Sequence, residues 1–265
     1  MVYMGSKRRY AKDIVPIIQK FIEDNDIEIF IDLFCGGANL IDKIQCKTLI
    51  ANDLSPSLIA LHKQAIKDFS EIPVDGCREY WDKAYTEWKK MKKMCDNNLI
   101  YQESEDMPLY LIGAIEWYAS FANGGFPRGY AKNSPTRNYY QEAYRNHEKQ
   151  AQNDNYKKIH FFTGDYQETL KSLEELYDID KKKVLIYCDS PYKGTKPYAI
   201  DSKFDFDRYY NWCRETSKKY PMFISEQSMP EDFNIIWEKD TVRTTNKENN
   251  FKACEKLYLL DRRDK

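Results

Sequence analysis

The sequence predicts an α/β fold, a mostly parallel sheet with flanking helices and an inserted, mainly helical lobe. Three observations carry that expectation. First, four short apolar runs, IEIFIDLF (27–34), KTLIAND (47–53), IHFFTGD (159–165) and KVLIYCD (183–189), each finish at an acid or just beyond one, as short buried strands do when they emerge at a sheet edge. Second, the first, second and fourth runs lead into helix or loop patterns, the β-loop-α order of a parallel sheet. Third, between Leu61 and Asn155 the strand pattern disappears and helical patterns replace it. With 265 residues, 42% hydrophobic and 15% aromatic, the chain is long enough for one sizeable core or a core with a second lobe.

Composition narrows the function classes. No run approaches the roughly eighteen apolar residues of a membrane span; the longest candidate, LYLIGAIEWYASFA, carries Glu116 and reads as a buried helix. The segment MVYMGSKRRYAKD has charge without the apolar core of a signal peptide, so a cytoplasmic location is expected. Seven cysteines form no CxxC pair and there are three histidines, so reduced thiols and no metal site are expected. A net charge of −1 gives no support to a nucleic-acid partner. Its distribution does: from Phe126 to Lys158, seven basic residues, Arg128, Lys132 and Arg137 among them, face three acids, with Tyr130, Tyr139, Tyr140 and Tyr144 interspersed. A solvated helix face and a phosphate-tracking surface with stacking aromatics both fit that pattern.

Taken in order, the first strand ends at Asp32 and runs into DLFCGGANL, where Gly36 and Gly37 let the backbone approach a ligand at a helix N-terminus. Asp53 closes the second strand roughly twenty residues after Asp32, the spacing at which an acid binds ribose hydroxyls in nucleotide-binding βαβ units. The strict G-x-G-x-x-G fingerprint of dinucleotide sites is absent. Helices are expected over about 76–95, 107–121 and 138–152, around the loop NGGFPRGYAKNSPTR. This gives an inserted lobe at 66–155, with 1–65 and 156–265 forming the main domain. The third and fourth strands follow, and the last third resumes with a helix and strands that complete the sheet. At the end of the fourth strand, Asp189-Ser190-Pro191-Tyr192 brings a carboxylate, a rigid turn and an aromatic face to one point, a combination suited to a planar, polar ligand. In parallel sheets ligands bind at the carboxyl ends of strands, where these acids gather.

Nearly end to end, these segments resemble the Dam-like (D12) class of adenine-N6 DNA methyltransferases, especially the adenine methylases of phages and prophages. YMGSKRRYAKDIVPII resembles the N-terminal motif, FIDLFCGGANL the methionine-binding loop, ANDLSPSLIAL the ribose-binding acid, FFTGDYQETL the adenine-pocket segment, YCDSPYKGT the catalytic tetrapeptide, and FISEQSMP with CEKLYLL the closing strands. The resemblance implies a Rossmann-like S-adenosylmethionine-dependent methyltransferase fold whose 66–155 lobe recognises the target. It also implies S-adenosylhomocysteine as product, no metal and double-stranded DNA as partner, and a monomer in solution is expected. Residue by residue, Tyr3 and Lys7 would line the cofactor and target side, and Asp32 would join them at the cofactor. Phe34, Gly36 and Gly37 would pack the methionine moiety, Asp53 would bind the ribose, and Asp165 with Tyr166 would hold the cofactor's adenine. Asp189, Ser190, Pro191 and Tyr192 would receive the target base, with Asp189 also bordering the cofactor, while Arg128, Lys132 and Arg137 would contact DNA.

Two departures mark the sequence. The family's FxGxG becomes Phe34-Cys35-Gly36-Gly37-Ala38, and its DPPY becomes DSPY. A cytosine-C5 methyltransferase, which shares a DLFCGG-like loop, needs a Cys nucleophile in a Pro-Cys dipeptide, and none of the ten prolines precedes Cys. An RNA or protein N-methyltransferase and a catalytically silent DNA-binding protein with a methylase fold are the remaining alternatives. No motif specifies the target sequence.

Overall fold

The computed structural model of the chain describes residues 1–95, 106–179, 183–193, 204–246 and 249–263. Gly194 and Thr195, the end of the YCDSPYKGT segment, lie outside them. Seven strands, β1 (Ile29–Asp32), β2 (Thr48–Asp53), β3 (Ile159–Thr163), β4 (Val184–Cys188), β5 (Met222–Glu226), β6 (Asn234–Asn246) and β7 (Asn249–Leu260), form one sheet. Its order is β3-β2-β1-β4-β5-β7-β6. The first five are parallel, and β7 runs antiparallel between β5 and β6. All four expected strands are present.

The central strands are buried on both faces, and the twofold alternation of side chains divides them between two cores. On one face Phe30, Leu49, Leu185 and Tyr187 meet Ile14, Ile18 and Ile22, a stripe at i, i+4 spacing along α1 (Ala11–Asp24), and Leu58 and Leu61 of α2 (Pro56–Lys67). On the other, Ile29, Ile31, Ile50 and Ile186 meet Leu170 and Leu173 of α7 (Tyr166–Tyr177) and Tyr209 and Cys213 of α8 (Phe206–Thr216).

The segment between α2 and β3 is helical, as the sequence implies: α3 (Arg78–Cys95), α4 (Leu109–Tyr118), α5 (Tyr139–Ala151) and the single turn α6 (Asp154–Lys157). α4 is shorter than its apolar run suggests, because Pro108 fixes its start and the chain turns at Ser120 into the loop before α5. Trp81, Ala84 and Trp88 of α3, Tyr118 of α4 and Tyr140 of α5 belong to the same buried cluster as Phe30 and Ile14. Hence the helices of this segment extend one face of the sheet core. No described helix is long and apolar enough to cross a membrane.

This segment packs closely on α2 at Gly113 of α4. A Cβ there would lie 2.2 Å from the Ser57 carbonyl oxygen and 3.1 Å from the Leu61 Cβ, both on α2. The clash is with backbone, so the helices must separate. Gly113→Ala is therefore expected to destabilise the fold by about 1–3 kcal/mol, despite the up to about 1 kcal/mol that alanine gains in helix propensity. Urea denaturation followed by circular dichroism measures the difference.

Candidate active site

At the carboxyl ends of β1, β2, β3 and β4 opens a cavity of about 650 Å³. The cause is topological. β1 is flanked by β2 on one side and β4 on the other, so the chain leaves its two neighbours in opposite directions and opens a crevice over the strand ends. Asp32, Asp53, Asp165 and Asp189 line it, together with Tyr3, Lys7, Phe34, Gly36, Gly37, Tyr166, Ser190, Pro191 and Tyr192. Every residue expected at the cofactor or the target base therefore borders one space.

The loop after β1 is held from both sides. Phe34 N–H donates to Asp32 Oδ1 at 3.3 Å, Gly36 N–H to Asp53 Oδ2 at 3.0 Å, and Ser55 N–H to Asp53 Oδ1 at 2.9 Å. Gly36 has φ +48°, and a Cβ there would lie 2.7 Å from the Tyr3 ring, so the position requires glycine for both reasons. Ala38 takes φ +52°. The alanine thus keeps the left-handed conformation that glycine adopts freely, at a cost of roughly 1–2 kcal/mol. Asn52, which is fully buried, ties two strand-end loops and α7 together: its amide donates to the Leu33 carbonyl at 3.1 Å and the Gly164 carbonyl at 3.0 Å, and its oxygen accepts from Thr169 Oγ1 at 3.0 Å.

One end of the cavity is aromatic. The Phe34 ring lies 5.3 Å from Tyr166, 5.9 Å from Tyr209 and 6.1 Å from Phe204. Asp165 caps α7 by accepting from Gln167 N–H at 3.0 Å, and Arg208 reaches it at 3.2 Å. A flat ring bordered by a carboxylate fits this end.

The other end is acidic and has a buried cation at its centre. Lys7 Nζ donates to Asp189 Oδ1, sits 3.6 Å from Glu255 and lies 4.7 Å over the Tyr192 ring, whose hydroxyl donates to Glu255. Burial alone would lower the Lys7 pKa; Asp189 and Glu255 overcome it and hold the ammonium above its ordinary value. Burial raises Asp189 to about 6 against the pull of Lys7. Burial also raises Glu226, at the end of β5, to about 8, against a hydrogen bond from Gln227 N–H and with the Asp189 charge adding to the shift. Asp32 is pushed well up by burial and then by the Asp189 charge. The Ser190 hydroxyl is buried beside that of Tyr209, and the two do not reach hydrogen-bond geometry.

Of the basic residues expected at DNA, Arg128 reaches the cavity wall beside Met4 and Trp117. Lys132 and Arg137 are exposed outside it, and Arg137 donates to Glu142 at 2.7 Å while lying 4.2 Å over Tyr139. The sequence reading missed Glu255, Glu226, Asn52, Phe204 and Arg208. For Glu255 a signal existed: in CEKLYLL it shares the strand parity of the buried Leu257, which marks it as inward-facing.

Residues 3–244 match the family described as D12 class N6 adenine-specific DNA methyltransferase. The chain belongs to that family. Its members transfer methyl groups to adenine N6 in DNA, and the sheet order and strand-end cavity are those of a Rossmann-like methyltransferase. Two solved structures of the rRNA methyltransferase aviRa from Streptomyces viridochromogenes align over 97% and 98% of this chain and 86% and 87% of theirs, at 10% identity and TM-scores of 0.46 and 0.44. No curated protein matches the sequence.

The acidic end of this methyltransferase makes a stability prediction. Removing Lys7 leaves Asp189 and Glu255 buried without their cation, a loss of about 3–5 kcal/mol for a broken buried pair. In Lys7→Met the Asp189 pKa climbs further above its unfolded value. The destabilisation is then absent below the unfolded carboxylate range and grows as pH rises through it toward the folded value. Urea denaturation is expected to show a larger loss at pH about 8 than at pH about 5.

Proposed function

We propose that this chain binds S-adenosylmethionine along the glycine turn and the aromatic end of the cavity and methylates N6 of an adenine rotated out of duplex DNA into the acidic end. The observation that carries the reading is the position of Asp189. This partly buried carboxylate stands at the end of β4, beside the Tyr192 ring, in the same cavity as the Gly36-Gly37 turn and the ribose-type acid Asp53. The donor set fits the cofactor: a backbone turn and buried acids for a methionine moiety, Asp53 for ribose hydroxyls, and Phe34, Tyr166 and Asp165 for an adenine. The bound cofactor supplies an electrophilic methyl group on a sulfonium.

An exocyclic amine conjugated to a purine is a poor nucleophile. The protein's task is to orient N6 toward the methyl group and to accept its hydrogens as the nitrogen pyramidalises. Asp189 provides one acceptor and the main-chain carbonyl of Ser190 the second. That carbonyl is the same whether residue 190 is serine or proline, so DSPY preserves the chemistry of DPPY. Tyr192 stacks on the base, worth roughly 1–3 kcal/mol, which offsets part of the few kcal/mol of unstacking. Its hydroxyl is anchored by Glu255, so the ring is oriented before the base arrives. Lys7 keeps Asp189 ionised near neutrality in spite of its burial. The 66–155 segment serves as the target-recognition lobe, with Arg128 nearest the cavity and Lys132 and Arg137 on the exposed loop before α5.

The decisive experiment follows labelled methyl transfer from S-adenosylmethionine to adenine in duplex DNA in a single turnover. Asp189→Ala is expected to lower the rate about a hundredfold or more while cofactor binding persists. DNA binding without transfer by the unmutated chain would mean a silenced enzyme.

The acceptor form of Asp189 is its ionised form, and its raised pKa means that this form is depleted below about pH 6. The single-turnover rate is expected to fall about tenfold per pH unit below that value; a rate flat down to about pH 4.5, near the ordinary carboxylate range, contradicts the assignment. For DNA binding, Arg128→Ala with Arg137→Ala is expected to weaken affinity and flatten the log-log salt dependence by about one unit per lost phosphate contact. Fluorescence anisotropy against salt concentration measures the slope, and an unaltered slope reduces these residues to a solvated surface.

A further inference from the structure

Behind the glycine turn runs a series of four buried side chains that the proposed chemistry does not use. His62 Nε2 lies 2.8 Å from the Gly36 carbonyl oxygen, and His62 Nδ1 lies 2.6 Å from the Tyr156 hydroxyl. That hydroxyl lies 2.7 Å from His147 Nε2, and His147 Nδ1 lies 2.5 Å from the Tyr118 hydroxyl. All four side chains are fully buried, and the His62 ring stacks on Phe161 at 4.8 Å.

The protons in this series have one consistent arrangement. A carbonyl oxygen can only accept, so His62 Nε2 carries hydrogen and donates to Gly36. Burial lowers the pKa of His62 to about 3 and that of His147 well below its ordinary value, so both rings are neutral and each keeps one acceptor nitrogen. His62 Nδ1 is then an acceptor, and the Tyr156 hydroxyl donates to it. The Tyr156 oxygen accepts from His147 Nε2–H, and His147 Nδ1 accepts from the Tyr118 hydroxyl. Every bond points from the helical segment toward the turn: Tyr118 lies on α4, His147 on α5, Tyr156 on α6 and His62 on α2.

The Gly36–Gly37 peptide is trans, so its carbonyl and its N–H point in opposite directions. With the carbonyl drawn inward to His62, the Gly37 N–H faces away from it. Gly37 lines the cavity, and its N–H donates no hydrogen bond to any other described residue. Gly36 N–H is already committed to Asp53.

We propose that His62 is a positioning residue for the cofactor: it fixes the orientation of the Gly36–Gly37 peptide so that the Gly37 N–H is presented to the carboxylate of the methionine moiety. This rests on the reading of the cavity as the S-adenosylmethionine site. The three partners hold His62 in the donating tautomer and leave it no alternative bond, so the helical segment that meets DNA also sets the shape of the cofactor turn.

Two measurements on the full chain test the proposal. Nitrogen-15 spectra of the histidine rings at neutral pH are expected to show His62 and His147 as neutral Nε2–H tautomers, with exposed His160 as the reference signal; an Nδ1–H tautomer or a charged ring at His62 overturns the proposal. Calorimetry with S-adenosylhomocysteine provides the second. His62→Phe keeps the ring and its stacking but loses the donor, and is expected to bind roughly tenfold to a hundredfold more weakly. His62→Gln, with a donor and an acceptor of its own, is expected to recover most of that loss. Equal affinity in His62→Phe and the unmutated chain overturns the proposal alone. Absence of binding by the unmutated chain overturns the cofactor reading, and the proposal with it. The spectra require no variant, so a His62→Phe chain that fails to fold leaves the tautomer prediction decisive.

Discussion

The buried ammonium of Lys7 is the constraint on which the active end of the molecule depends. Asp32, Asp189, Glu226 and Glu255 converge on a small, poorly solvated volume, and ionised carboxylates at such distances repel one another while losing their hydration. Lys7 resolves the conflict selectively. Bonded to Asp189, it favours ionisation there against the effect of burial, while Glu226, held at about 8 by its own burial, keeps its proton at neutral pH. The cation thus favours the charged form of Asp189, while burial keeps Glu226 neutral in spite of the same cation. The 3₁₀ turn that carries it, Lys7–Arg9, is begun by Ser6, whose hydroxyl accepts from Arg8 N–H at 3.2 Å.

The sheet supplies the complementary rigidity. Parallel strands buried on both faces bring their ends to a common level, and Asn52 bonds the loops after β1 and β3 to each other through a single side chain. Because Gly113 lets α4 lie directly on α2, the helical segment is packed against the helix whose His62 bonds the Gly36 carbonyl of the glycine turn. The loop between α4 and α5 therefore projects from a fixed base. Phe126 pins it there, buried against Trp81 and Trp88, while residues 132–137 are exposed.

Much of this was legible in the sequence, for identifiable reasons. The strands announced themselves because strands buried on both faces read as continuous apolar runs, and the acids that end them mark the mouth of the cavity. The Gly36-Gly37 turn and DSPY were legible because their chemistry is local. The place of Phe204 in the aromatic wall, with Tyr209 packed behind Phe34, was not, since those residues lie in an aromatic-rich stretch whose pattern reads only as a segment packed on a core. Asn52 was hidden for a related reason: a polar residue inside a strand looks like a solvent-facing position until its partners, distant in sequence, are known. The histidines offered no motif, because their role lies in the order of their protons and not in their spacing.

The composition of the acidic cluster also sets when the active end can exist. Lys7 and Glu255 lie nearly the whole sequence apart, and Glu255 enters on β7, which reaches β5 by running against the parallel strands. Contacts of such long range form late, after the loop-closure cost of the intervening chain has been met. A growing polypeptide that has completed β1 to β5 already possesses the glycine turn and Asp189, but Tyr192 still lacks its anchor and the cation its second carboxylate. On the proposed assignment, the residues of the cofactor end are therefore all in place in the chain before the base end is charge-balanced.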